Sequence, residues 1–355
     1  MYDIVIVGGG PAGATLARLS GNRYKILLLE KRTFHANMPI SAEKCCGGLL
    51  DPDAQQMMAR FGLGIPKSVL LSPQLFAVRT IDINNSIERY YQRHYINIDR
   101  NEFDKWLESI IPDMVDVQNS CLFKSYEEQE EYVTVRYICG GKEYEVKSKL
   151  LVGADGALSM VRRQGFSDKP APDMYVSIQE WFEAKDYQNF YGAIFDEEIT
   201  DFYSWTIPKE NAVILGTALK PGKDARNKFE LLKQKLTKYG YCFEKCFCRN
   251  GSYLYRPVKS SQICIGKGRI SLVGEAAGFI SPSSAEGMSY AFKSALSLAK
   301  ALNSSFQGYE KLYRKNLDPL MTNIFIKNMK SPAMYNPYLR KLAMKSGLMS
   351  IRIEK

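Results

Sequence analysis

The chain has 355 residues, 45% of them apolar, and a formal net charge of +10. That length and apolar content suit one large body or two globular domains and exclude wholesale disorder. The positive balance favours an anionic partner, and no apolar run approaches the roughly 20 residues that a membrane-spanning helix needs.

Ile4-Val5-Ile6-Val7 reads as a short buried strand. It enters Gly8-Gly9-Gly10-Pro11-Ala12-Gly13, a G-x-G-x-x-G, and a helical stretch follows over residues 14–19. A second apolar run, Ile26-Leu27-Leu28-Leu29, ends in Glu30. Each part of this order has one job in holding a dinucleotide. Gly8 makes the tight turn, Gly10 lets the backbone approach a pyrophosphate, and Gly13 lets helix and strand pack closely. The helix N-terminus offers free N–H groups to phosphates. Glu30 stands where a carboxylate meets a ribose hydroxyl, with Lys31 beside it.

After a polar loop, residues 51–61 read as a helix and 71–95 as strands. Asp99 is an N-cap candidate for an amphipathic helix running through Trp106 and Leu107. Residues 132–137 and 143–146 read as a hairpin turning at Gly140-Gly141, and 149–153 as a separate buried strand. The stretch 174–255, rich in Tyr, Phe and Trp, reads as a mainly antiparallel sheet interrupted by a helix over 229–239. A strand over 269–275 and a helix over 286–302 return to the first domain.

Residues 1–70, 96–172 and 256–302 are thus expected to form a discontinuous nucleotide-binding domain. Residues 71–95 and 173–255 form a β-rich substrate domain, and 303–355 a basic helical tail. That tail interleaves Lys330, Arg340, Lys341, Lys345 and Arg352 with Met334, Tyr338, Leu342, Leu348 and Met349. The pattern suits a helix on an anionic membrane face and equally a helix pair packed on its own domain. A nucleic-acid partner is not expected. The eight cysteines do not form a disulfide framework, and the N-terminus enters a strand at once. Both features are expected of a cytoplasmic protein with mostly reduced thiols.

Three more segments narrow the dinucleotide: Gly153-Ala154-Asp155-Gly156 with Ser159 and Arg162; Gly274-Glu275-Ala276-Ala277-Gly278 with Pro282 and Gly287-Met288; and Asp99-Arg100 with Phe103-Asp104. With Gly8 to Gly13 they resemble the fingerprints of flavoproteins of the para-hydroxybenzoate hydroxylase fold. The resemblance implies an α/β architecture: a Rossmann-like domain holding FAD, with an inserted antiparallel sheet. It places Arg100, Asp155, Gly156, Glu275, Gly278, Pro282, Gly287 and Met288 around the cofactor. Within that superfamily, Lys44-Cys45-Cys46-Gly47-Gly48 and Tyr203-Ser204-Trp205-Thr206-Ile207-Pro208-Lys209 resemble two motifs of the geranylgeranyl reductase family. Those enzymes saturate isoprenoid double bonds. The resemblance implies that Cys46, Gly47 and Gly48 lie beside the flavin and that Tyr203, Trp205 and Pro208 line an apolar or lipid substrate pocket. Three positions depart from the family pattern: Glu275 replaces Asp, Cys45 replaces Pro and Ile207 replaces Phe.

Cys46 or Cys45 is the first candidate for a proton donor or redox gate, against a packing role next to two glycines. No catalytic metal is expected, although Cys242, Cys246, Cys248 and Cys264 include a C-x3-C-x-C. Only one nucleotide fingerprint is present. The reductant is therefore a transiently docked NAD(P)H or a ferredoxin-type electron-donor protein. An aromatic monooxygenase, a halogenase-like enzyme and a non-catalytic flavin-binding protein at a membrane surface are the open alternatives.

Overall fold

The computed structural model describes residues 1–33, 45–184 and 189–354; Lys44 of the cysteine motif lies outside them. The chain divides into two compact units. The first comprises Met1–Ala36, Phe103–Asp173 and Tyr255–Asn328, and the second Asn37–Glu102, Met174–Leu254 and Met329–Lys355.

The first unit is built on the expected strand–helix–strand: β1 (Tyr2–Val7), α1 (Pro11–Ser20) and β2 (Ile26–Leu29). β1 pairs in parallel with β2 on one side and with β9 (Lys142–Gly153) on the other. β6 (Asp116–Gln118) extends the sheet beyond β2. β16 (Ile270–Leu272) and β15 (Gly266–Lys267) extend it beyond β9. Ile4 to Val7 and all of β2 are buried. Strands covered on both faces carry such unbroken apolar runs, because no side of the strand meets water.

β7 (Cys121–Glu128) and β8 (Val133–Cys139) form an antiparallel arm of this sheet, and β15 also pairs antiparallel with β16. The turn into β9 uses Gly140 and Gly141, whose φ of 56° and 77° favour glycine. The two strands expected over 143–146 and 149–153 are one. Its first half pairs with β8 and its second half with β1, both through Ser148. No Gly or Pro interrupts residues 142–152, so nothing ends the strand between its two partners. Cys121 and Cys139, opposite one another in β7 and β8, are disulfide-bonded, and the other six cysteines are thiols. Helices α3 (Arg100–Ser109), α4 (Met160–Gly165), α6 (Met288–Ser304), α7 (Tyr309–Asn316) and α8 (Asp318–Tyr335) accompany the sheet. α3 is capped as expected: Asp99 Oδ1 accepts the N–H groups of Asn101 and Glu102 at 2.8 and 2.9 Å.

The second unit is a nine-stranded sheet in the order β14-β10-β13-β12-β11-β4-β5-β17, with β3 paired to β5. Its strands are β3 (Leu49–Leu50), β4 (Leu75–Asp82), β5 (Ile87–Asn97), β10 (Asp173–Glu183) and β11 (Tyr191–Phe195). They continue with β12 (Ser204–Lys209), β13 (Ala212–Leu219), β14 (Cys246–Arg256) and β17 (Ser350–Ile351). The pairing is antiparallel except between β11 and β4. α2 (Pro52–Arg60) is capped by Asp51. α5 (Ala225–Leu236) begins a turn earlier than expected and packs Phe229, Leu232 and Leu236 against Phe182 and Leu215. α9 (Pro337–Lys345) closes the helical content.

These units depart from the expected boundaries in two places. Residues 45–70 and 96–102 group with the β-rich unit, because Leu49 pairs with Asn97 and Val69 accepts the Asp99 N–H. The tail divides after Asn328. Tyr313 of α7 donates to Leu272 O in the first unit, whereas Arg340 of α9 pairs with Asp82 in the second.

Candidate functional site

In the first unit, parallel pairing brings the carboxyl ends of β1, β2, β9 and β16 to one edge. Val7 stands opposite Leu29 and Gly153, and Leu272 opposite Gly153. The four loops leaving that edge carry Gly8 to Gly13, Glu30, Asp155-Gly156 and Glu275 to Gly278. Open α/β sheets bind ligands at this edge, where the crossovers diverge.

The three glycines of the turn are not equivalent. Gly8 has φ of 104°, and a Cβ there would come 2.5 Å from Ala154 O. A Cβ on Gly13 would come 1.9 Å from Gly8 O. Among the described residues, a Cβ on Gly10 would meet nothing within 4 Å. Gly8 and Gly13 therefore serve the fold, while Gly10 leaves room at the start of α1. Gly10 supplies no side-chain cap, Pro11 is the first helical residue, and Ala12 is buried behind it. An uncapped helix start facing free space is a cradle for a pyrophosphate, so the residues present fit a dinucleotide.

Glu30 is buried. Its Oε2 accepts the Gly9 N–H at 2.7 Å, and its Oε1 accepts Arg32 Nε at 3.0 Å. Burial alone would raise its pKa. The Arg32 charge and these hydrogen bonds outweigh that and hold it below the ordinary carboxylate value. Arg32 reaches on to Asp104 at 2.6 Å. Arg32, rather than the exposed Lys31, is thus the cation tied to Glu30. Nothing in the local sequence distinguishes the two, because the choice depends on Asp104 arriving from α3.

Asp155 holds its own loop: Oδ2 accepts the Met160 N–H at 2.7 Å. Its Oδ1 is buried with no hydrogen-bond partner among the described residues, and burial raises the pKa of the carboxyl. Glu275 sits in a one-turn helix between Gly274 (φ 58°) and Gly278 (φ 94°), and its Oε1 accepts the Tyr255 N–H at 3.0 Å. Arg162 locks these two loops together. Its guanidinium donates to the carbonyls of Ala276 (3.3 Å), Gln262 (2.8 Å) and Pro170 (3.0 Å). Pro282 accepts from Arg256 Nε, Gly287 precedes α6, and Met288 is its buried first residue. Arg100 opens α3 and is buried.

In the second unit, strand alternation organises the other motifs. Thr206 of β12 bonds Tyr241 on the α5 side of the sheet. Ile207 and Lys209 therefore face the other way, with Trp205 in the same alternate register. On that side a Cβ on Gly47 would come 2.5 Å from Ile207 Cδ1. Lys209 Nζ donates to Gly48 O at 3.0 Å and Ile98 O at 2.9 Å. The cysteine motif and the aromatic motif are thus in contact. Tyr203 packs on Trp205 with ring centroids 5.5 Å apart and accepts a hydrogen bond from Tyr191 at 3.3 Å. Trp205 lies over Gly216, where a Cβ would come 2.3 Å from the indole. Pro208 is anchored through its carbonyl by Asn97 Nδ2 at 2.8 Å.

The two thiols differ. Cys45 is buried with Sγ 3.7 Å from Ser177 Oγ, and burial pushes its pKa up to about 12. Cys46 is half-buried, and its Sγ accepts the Gly48 N–H at 3.5 Å. Lys209 is buried, and that burial brings its pKa down to about 7, with opposing attraction from Cys46 and Asp99. Two carbonyls match the two N–H bonds of a neutral amine, which explains why the third proton is costly there. The sequence shows Lys209 only as the end of a motif; its burial is a tertiary fact. So is Gln179 on β10, in one row with Gly216 and Trp205 and with a buried Oε1 that has no partner among the described residues.

Among the described residues, no group of three or more His, Cys, Asp or Glu side chains gathers as a metal site. No helix among them is long and apolar enough to cross a membrane. A cavity of about 1080 Å3 opens at the amino ends of the first sheet. Asp3, Glu128, Glu130, Glu131 and Glu310 line it against Lys149 and Arg269. That is the wrong end and the wrong charge for a dinucleotide.

Comparisons with known proteins agree with this geometry. A family model described as an FAD binding domain matches residues 1–181. Protein CbrA of Escherichia coli O6:H1 is 40% identical over 350 residues, spanning 99% of this chain and 94% of that protein. Among solved structures, a geranylgeranyl bacteriochlorophyll reductase-like protein from Thermoplasma acidophilum superposes with a TM-score of 0.79 at 19% identity, over 96% of this chain and 90% of its own. PqsL of Pseudomonas aeruginosa, described as a probable FAD-dependent monooxygenase, gives 0.71 at 16% identity, over 98% and 99%. At such identities the likeness is one of fold.

Proposed function

Because the chain belongs to the FAD-binding domain family and shares a full-length family with the CbrA proteins, it is a flavin-dependent oxidoreductase, and we propose that it reduces carbon–carbon double bonds of an isoprenoid or similarly apolar substrate. The observation that carries this reading is the face of β12. Trp205 and Ile207 stand on it, Gly47 and Gly48 lie against it, and a thiol and a buried lysine are the adjoining polar groups.

FAD, when bound and reduced, supplies the hydride. The chain's residues have three tasks. Gly10, the start of α1, Glu30 and the Asp155 and Glu275 loops hold the dinucleotide. Tyr203, Trp205 and Ile207 exclude water from the alkene. The Cys46 thiol gives its proton to the second carbon, and the thiolate left behind is reprotonated from solvent. Cys45, whose pKa burial raises to about 12, is a poor acid near neutral pH and has the packing role. The electrons enter from NAD(P)H or a ferredoxin-type carrier.

The test is anaerobic reduction of the purified flavoprotein, followed by optical reoxidation with a geranylgeranyl lipid or with air. Reoxidation by the lipid, slowed at least about 100-fold in Cys46→Ser but not in Cys45→Ser, is the expected result. Fast reoxidation by air, with no response to the lipid, would replace this reading with an oxygenase.

A further inference from the structure

The C-terminal residues of the second unit form a fixed platform with an unusual outer face. Its inner side is well secured. Arg340 of α9 makes a two-pronged buried ion pair with Asp82, at 2.8 and 3.1 Å. Asn85 Nδ2 donates to Pro337 O, Arg89 Nε donates to Met344 O, and β17 pairs with β5. Met344 is buried one turn from Arg340, so these two residues mark the inward face of α9.

The outward face is apolar where a solvated helix would be polar. Tyr338 is 69% exposed and Leu342 54%, and in the turn that follows α9 Leu348 is 76% and Met349 83% exposed. Tyr338, Leu342 and Lys345 follow the i, i+4, i+7 spacing of one stripe, with Lys341 beside it. Met349 has φ of 61°, a left-handed conformation that disfavours a long side chain, and that side chain is almost wholly exposed. Lys330, Lys345 and Arg352 are exposed and Lys341 is half-buried, while from residue 329 onward the one acidic residue is Glu354.

We propose that this face docks on an anionic lipid bilayer. Leu342, Leu348 and Met349 enter the interface, and Lys330, Lys341, Lys345 and Arg352 meet the phosphates. Exposed apolar side chains with cations beside them in the chain suit an interface where acyl chains meet headgroup charge. A second copy of this chain is the poorer occupant, because an isologous contact would set the same cations face to face. The inference is independent of which substrate the flavin site reduces.

The experiment is flotation of the full-length flavoprotein with vesicles of phosphatidylcholine alone or with about one-third phosphatidylglycerol, at low salt and at about 0.5 M salt. Binding at least about tenfold tighter to the anionic vesicles and weakened by salt is expected. Leu348→Glu with Met349→Glu removes it, and Lys341→Glu with Lys345→Glu removes the preference for phosphatidylglycerol. Both double variants keep the flavin absorbance and the melting temperature, since these side chains are outside the core. No binding by the wild type, or unchanged binding by both double variants, overturns the proposal. So does a wild-type dimer that the Leu348→Glu, Met349→Glu variant dissolves, which would assign the face to a second copy.

Discussion

Gly10 and Gly13 lie in one turn and answer to different partners. A methyl at Gly13 collides with the Gly8 carbonyl, whereas a methyl at Gly10 meets nothing among the described residues. Gly13→Ala should therefore lower the melting temperature even without flavin. Gly10→Ala should leave the melting of the flavin-free protein unchanged and weaken FAD binding at least about tenfold, roughly 1.4 kcal/mol. Equal melting losses in both variants would mean that Gly10 serves packing after all. Lys209 makes a second residue-scale prediction. Its pKa is near 7 in the folded chain against 10.5 ordinarily, so between those values the unfolded chain holds one more proton. Stability then rises as pH climbs through that window and is lower below about 7, where both states are protonated. Lys209→Met should flatten this part of the pH–stability curve, measured by urea unfolding at several pH values; the slope removed is on the order of a few kcal/mol across the window. A variant with an unchanged slope would mean that Lys209 stays charged.

At the scale of elements, the central anchor of α9 is a buried ion pair. Asp82 and Arg340 are both buried, so removing either leaves an uncompensated charge. Arg340→Met should cost about 3–5 kcal/mol and expose residues 329–354 to limited proteolysis. Asp82→Leu added to it should recover part of that loss, because the pair is then replaced by apolar packing. Failure of the double variant to recover would place the loss in the other Arg340 bonds, to Met334 O and Asn84. β9 teaches a related lesson. Its two halves look separate in sequence because the first alternates and the second is uniformly apolar. The alternation ends where the strand leaves a one-sided hairpin and enters a sheet covered on both faces.

On the scale of the whole molecule, each unit has its own sheet, and the dinucleotide loops all leave the first one. Saturating FAD should therefore slow amide hydrogen exchange at residues 8–13, 154–156 and 274–278. At about 100 times its dissociation constant it should add roughly 2.7 kcal/mol to the stability of the unit that holds it. Exchange unchanged at those loops, with protection elsewhere, would move the site.

Local order was enough to read the βαβ unit from sequence. The turn glycines, the strand runs and the acid at the end of β2 interact with near neighbours, so spacing alone determines their chemistry. The cap at Asp99 and the Gly140-Gly141 hairpin were legible for the same reason, whereas the FAD-type fold was read from the resemblance of several motifs to a known family. The tertiary structure decided which side chains become partners across the chain. It joined Glu30 to Arg32 rather than to Lys31, because Asp104 arrives from another helix. It set Lys209 against Gly48 and Ile98, and Arg162 between the Asp155 and Glu275 loops. It also turned one face of the tail inward through Asp82 and left the other apolar and exposed. Burial and pairing depend on residues far apart in sequence, and no local pattern records the distance between them.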